Sequence, residues 1–165
     1  MKKQNGCSCD KCIKCCSNSC GWFGSIEEVK GASKIMKMKL ADFAKEYLIE
    51  EWWYGDGVDI SVIAPRKNFE KSKNLLIFEE DKQRNNKGFV KATWGHNLIT
   101  GVPCIFLDEN NKCIIHESKP QECRENFGCD NKKPITTRPE IAKYWKRHKT
   151  FIMNLKKRIT NENDK

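Results

Sequence analysis

The stretch Trp52-Trp53-Tyr54-Gly55-Asp56-Gly57-Val58-Asp59-Ile60-Ser61-Val62 decides how the fold is read, because the periodicity of the chain changes within it. Gly55 and Gly57 around Asp56 signal a turn, and Val58, Ile60 and Val62 then alternate with polar residues until Pro65 stops the run. A strand is expected from Val58, with the double tryptophan at the core or its edge. Upstream the spacing is helical. Ser25-Ile26-Glu27-Glu28 has the form of a capping box, and Ile26, Val29, Ala32, Ile35 and Met36 follow at helical intervals. Leu40, Phe43, Ala44, Tyr47 and Leu48 repeat the pattern in a second helix, whose start is poorly marked because Lys39 is a weak cap.

Downstream, Leu75 to Phe78 and Phe89 to Thr93 are β-prone, and the polar segment Asp81 to Lys87 between them suits a hairpin loop. Cys104-Ile105-Phe106-Leu107 and Lys112-Cys113-Ile114-Ile115 flank Asp108-Glu109-Asn110-Asn111 and read as a tight hairpin. If Leu107 pairs with Lys112, alternation puts Cys104 and Cys113 on one sheet face, diagonal neighbours about 7 Å apart. Ser118-Lys119-Pro120-Gln121 is a second capping box, opening a short helix with Cys123 and Arg124 that Gly128 ends, and Thr137-Arg138-Pro139-Glu140 is a third. From there Ile141, Tyr144, Trp145, His148, Phe151, Ile152, Leu155 and Ile159 form one long amphipathic helix. The expected fold is α+β. A single domain over 1–160 carries a cysteine-rich N-terminal loop, two N-terminal helices, β-hairpins and this C-terminal helix, and 161–165 form a polar tail that frays.

A chain of 165 residues fits one domain. The formal net charge of +9 invites a nucleic-acid reading. Much of that charge lies on helices, however, with Lys143, Lys146, Arg147, Lys149, Lys156, Lys157 and Arg158 on the C-terminal one, so solvated helix faces are the favoured account. No segment approaches the ~20 apolar residues of a membrane span. Met1-Lys2-Lys3-Gln4-Asn5-Gly6 has no apolar signal region, so a cytoplasmic location is expected, where thiols stay reduced and a disulfide framework is disfavoured.

That bears on the ten cysteines. Six fall between Cys7 and Cys20, including Cys9-x-x-Cys12-x-x-Cys15-Cys16, and Cys104, Cys113, Cys123 and Cys129 form a second group. Thiols at this density and spacing point to a bound metal, and the two groups are expected to meet in space. C-x-x-C loops serve zinc and iron-sulfur sites alike, so spacing does not choose between them. The bacterial ferredoxin run is not matched, because Cys15 is followed at once by Cys16 and Cys20 by Gly21. A cubane held by both groups stays open, as does a zinc site of Cys9, Cys12 and a facing pair. Disulfides, free buried thiols or a redox dithiol are the alternatives, and they fit less well with a hydrophilic loop that lacks a βαβ context.

Taken together, Cys9-x-x-Cys12-x-x-Cys15-Cys16, Gly21-Trp22-Phe23, Cys104-Ile105-Phe106-Leu107, Cys113-Ile114-Ile115-His116-Glu117 and Lys119-Pro120-Gln121-Glu122-Cys123-Arg124 resemble the CxxCxxCC (YkgJ-like) family of zinc- or iron-chelating domains. The resemblance covers Cys9 to about Cys129. It implies a cytoplasmic metal-binding protein whose ligands would be drawn from Cys9, Cys12, Cys15, Cys16, Cys104, Cys113, Cys123 and Cys129. Cys7 and Cys20 fall outside the motif. Eight matched cysteines exceed the need of one zinc, so an iron-sulfur cluster is expected in preference to zinc. His116 stands where relatives often have tyrosine and is read as structural; Arg124 is read either as a donor to the cluster or as a surface residue. Some larger relatives look like flagellin lysine methylases, which keeps a methyl-transfer or redox enzyme as one alternative, although no glycine-rich strand-to-helix turn is present here. The other alternative is a zinc-stabilised module that binds nucleic acid or protein through the basic C-terminal helix.

Overall fold

The computed structural model of the chain describes Cys16 and residues 21–68, 90–91, 101–125 and 136–163. Helix α1 (Ile26–Ile35) starts as its capping residue predicts: Ser25 is extended and its Oγ accepts from the Glu28 amide at 3.3 Å. The other half of the box differs. The Glu28 carboxylate reaches past Ser25 to the Gly24 amide at 2.8 Å, and also takes the Gln121 amide at 3.2 Å. Helix α2 (Leu40–Tyr47) begins without a side-chain cap, as Lys39 implies, and is held by the burial of Leu40, Ala41, Phe43 and Ala44.

Strand β1 (Leu48–Gly55) follows α2 directly, and β2 (Val58–Pro65) pairs with it antiparallel from Gly55 opposite Val58 to Leu48 opposite Pro65. The two-residue turn between them has Asp56 at φ 48° and Gly57 at φ 71°, the left-handed pair of a type I′ hairpin. Leu48 therefore belongs to a strand, not to the second helix, and the hairpin starts well before Val58. The helical spacing ends at Tyr47, and the β-prone residues that follow gain a full ladder with β2. The double tryptophan splits by strand alternation: Trp53 packs against the core, while Trp52 is 49% exposed.

Val90–Lys91 form a short strand, β3, parallel to Ile49 and Glu50, giving the order β2-β1-β3. The rest of the hairpin expected from Leu75 to Thr93 lies outside the described residues.

The second hairpin has a different register from the expected one. Leu107 faces Cys113, not Lys112, because the Asp108 carboxylate accepts from the amides of Asn110 and Lys112 at 2.9 and 2.7 Å and tightens the loop around Asn111, at φ 59°. Cys104 to Leu107 is itself a turn, with the Leu107 amide on the Cys104 carbonyl at 3.0 Å. Cys104 is thus not a sheet-face neighbour of Cys113. It bridges antiparallel to Lys67 instead, flanked by the bonds Ile105 N to Arg66 O at 2.9 Å and Asn68 N to Pro103 O at 2.7 Å.

A single 3-10 turn (His116–Ser118) leads to α3 (Gln121–Glu125). Ser118 lies in that turn and does not start the helix; the Gln121 amide is capped from a distance by Glu28. Helix α4 (Arg138–Arg147) opens on the third box as expected, with the Glu140 carboxylate accepting from both the amide and the hydroxyl of Thr137 at 2.8 Å. The long C-terminal helix, however, is two helices. His148 ends α4, its amide bonding to the Tyr144 and Trp145 carbonyls, and α5 (Phe151–Asn163) restarts after a turn, running through most of the segment read as a fraying tail.

The fold is α+β. Helix α4 packs on both strands of the first hairpin, and α5 packs on α2 and β2. One hydrophobic core joins Trp22 and Phe23 to Ile159. Its aromatic centre includes Trp22 against Trp145 at 4.9 Å and Phe43 stacked on Phe106 at 5.8 Å. No helix among the described residues is long and apolar enough to cross a membrane.

Candidate metal centre

Three cysteines from distant parts of the chain come together. The Cys104 amide donates to the Cys16 carbonyl at 2.6 Å, joining the N-terminal run to the segment that bridges Lys67. Cys123 lies on α3, and its thiol is close enough to those of Cys104 and Cys16 to feel both electrostatically. The expectation that the two cysteine groups meet is therefore met for these three residues.

The strand-like segment Gly21-Trp22-Phe23 holds α3 in place. Trp22 and Glu122 exchange two bonds, the Trp22 amide to Glu122 Oε2 at 3.0 Å and the Glu122 amide to the Trp22 carbonyl at 3.3 Å. Phe23 bridges Ile63 of β2, with its amide 2.7 Å from the Ile63 carbonyl. Gly21 is required by closeness: a Cβ there would sit 2.6 Å from Cys123 Sγ and 2.9 Å from the Cys123 amide nitrogen. The approach lets the Gly21 amide donate to the Cys123 sulfur.

Burial pushes the Cys123 thiol well above its usual pKa, and the neighbouring Cys104, Cys16 and Glu122 push it the same way, while the Gly21 bond pulls it down. Glu122 is raised to about 7, first by burial and then by the charge of Glu51, against the lowering effect of the Trp22 amide. Loss of a proton from Cys123 or Glu122 is thus opposed first by burial and then by repulsion from acidic neighbours. A cation bound among them would reverse that balance.

Arg124 does not point its guanidinium at sulfur. Its Nη2 pairs with Glu28 and its Nη1 donates to the Lys119 carbonyl at 2.5 Å, so it ties α3 to the start of α1. His116 is exposed in the 3-10 turn, and His148 stacks on Tyr144 at 4.1 Å. Cys113 lies half-buried against the core, opposite Leu107, and is not among the groups acting on Cys123. Cys7, Cys9, Cys12, Cys15, Cys20, Cys129 and His96 lie outside the described residues. Among the described residues, no group of three or more His, Cys, Asp and Glu is arranged to hold a metal ion.

Three residues of this region escaped the sequence reading. Glu28 was legible only as a local capping residue, although it serves two helix starts. Glu122 carried no signal beyond its place before Cys123. Lys67 is 2% exposed, and as the bridge partner of Cys104 it leaves the backbone on the same side as that cysteine. A lone lysine in a polar sequence gives no warning of such burial.

Comparison of the chain with protein-family models, with curated proteins and with solved structures returned no match.

Proposed function

We propose that this chain is a metal-binding protein of the cytoplasm, holding an iron-sulfur cluster in preference to zinc. Cys16, Cys104 and Cys123 would supply thiolates from one side, and Cys9, Cys12 and Cys15 of the N-terminal run would complete the set. The observation that carries the reading is the proximity of Cys16 and Cys104 to Cys123, whose sulfur accepts from the Gly21 amide. Thiols that repel one another as thiolates, with a backbone amide donating to one sulfur, have the chemistry of a cation site. Zinc requires four ligands, whereas the eight cysteines of the motif leave enough for a cluster.

Anaerobic purification followed by iron, sulfide and zinc analysis and an absorption spectrum tests the assignment. Iron and sulfide in matching amounts with charge-transfer absorption in the blue are expected. A colourless protein with one equivalent of zinc would reject the cluster and keep the metal site. Cys104→Ser is expected to lower metal content even though Cys9 to Cys16 are intact, and undiminished loading in that variant would overturn the shared centre.

A further inference from the structure

Between the β1–β2 hairpin and α5 runs an open groove of about 590 Å3 that contains no cysteine. The hairpin contributes Trp52, Asp59 and Ser61, and the helical side contributes Lys149, Met153 and Lys157. Two of these are large side chains about half exposed, Trp52 at 49% and Met153 at 52%. The Trp52 Nε1 donates to the Asp59 carboxylate, which fixes the orientation of the indole and engages that acid. The second acidic group of the groove, Glu50, is engaged by Lys156 Nζ at 2.8 Å.

The remaining charge is positive. Between Ile141 and Thr160 the sequence has seven Lys and Arg residues and no Asp or Glu, and all seven are exposed. A solvated helix face accounts for the cations alone. It does not account for an oriented indole and a thioether lining a groove beside them, because apolar surface grouped in a concavity marks a binding site more often than singly scattered side chains do. A flat aromatic face next to lysines that track a backbone is the arrangement by which proteins hold single strands: bases stack on the ring and phosphates meet the cations.

We propose that this groove binds single-stranded nucleic acid, with Trp52 as the stacking platform for a base and Lys149 and Lys157 as phosphate contacts. An acidic polypeptide would satisfy the lysines but offers no flat ring to meet the exposed part of the indole, which is why the nucleic acid is favoured. The site shares no residue with the cysteine centre, so its fate is independent of the metal reading.

The test uses the full chain as purified and a fluorescently labelled single-stranded DNA of mixed sequence, about 12 nucleotides long to exceed one groove-sized footprint. Binding followed by anisotropy is expected at low salt and should weaken as salt rises. Trp52→Ala should weaken it by roughly 5- to 150-fold, with Trp52→Phe retaining most of the affinity, as base stacking on a ring demands. The exposed double variant Lys149→Glu/Lys157→Glu should flatten the plot of log affinity against log salt by about 1.4, from ~0.7 for each phosphate that is no longer neutralised. Absence of binding at low salt would overturn the proposal. So would wild-type affinity in Trp52→Ala, or competition by polyglutamate as strong as by unlabelled DNA, which would mark the groove as a surface for acidic polypeptides.

Discussion

Glu28 does more than its position in a helix would require. Its carboxylate takes the Gly24 amide at 2.8 Å, the Gln121 amide at 3.2 Å and the Arg124 guanidinium, so one side chain joins the start of α1 to the helix that carries Cys123. It is mostly buried, with 13% of the side chain exposed, and bonds to a charged acceptor in such a setting are stronger than neutral ones. Glu28→Ala is expected to cost about 1.5 to 3 kcal/mol of stability, measured by urea unfolding. Much of the cost comes from the partners left behind, since Arg124 and the Gln121 amide lose their acceptor together. Glu28→Gln should fall between, because an amide oxygen still accepts but carries no charge toward Arg124. A fully stable Glu28→Ala would mean that water replaces the carboxylate without loss.

Among the helices and strands, the three S/T-x-x-E/Q boxes behave in three ways. The box at Thr137 closes locally, the one at Ser25 is shared between a local serine bond and a carboxylate that serves two sites, and the one at Ser118 is replaced by Glu28. The Thr137 box yields a pH prediction. Bonds from the Thr137 amide and hydroxyl hold the exposed Glu140 carboxyl below its ordinary value of 4.5. A folded-state pKa below the unfolded one adds stability above the unfolded value, and that stability is lost as pH falls through the folded value. Glu140→Gln should therefore unfold more easily than wild type at neutral pH, and the gap should narrow below pH 4.5 as the wild-type carboxyl takes up its proton. Thermal unfolding across that range measures it; a gap independent of pH would show that the carboxylate charge contributes nothing to the cap. The break at His148 belongs to the same scale. The apolar stripe runs on through it, but the α4 backbone ends where the His148 amide is shared between the Tyr144 and Trp145 carbonyls.

The whole molecule is organised around Trp145, fully buried and in contact with Trp22, Tyr144 and Phe151. Through Trp22 it connects the C-terminal helices to Gly21, Glu122 and the cysteine centre. Trp145→Ala is expected to cost about 3 to 5 kcal/mol, as removal of a large buried aromatic leaves a cavity that the surroundings refill only in part. It should also loosen the seat of Cys123, so if the proposed metal centre exists, metal content and stability should fall together in the same preparation. A destabilised variant that keeps its full metal complement would separate the core from the centre.

The sequence by itself determined the elements whose signals are local. Helix α1, the turn at Asp56-Gly57, strand β2, the Thr137 cap and the α+β class all followed from capping residues, positive-φ positions and short periodicities within a few residues. Thiol density suggested that two cysteine groups meet, and the family resemblance named eight candidates, Cys9, Cys12, Cys15, Cys16, Cys104, Cys113, Cys123 and Cys129, of which the structure brings Cys16, Cys104 and Cys123 together. What required the tertiary structure was every pairing between distant segments. Leu48 to Gly55 became a strand because β2 lay alongside to take its hydrogen bonds, and Cys104 left the face of Cys113 because Cys104 to Leu107 closes as a turn while Cys104 pairs with Lys67. Glu28, Glu122 and Lys67 acquired their roles only when residues from remote parts of the chain closed around them. Their burial and bonding are properties of the packed core, and no interval along the chain encodes them.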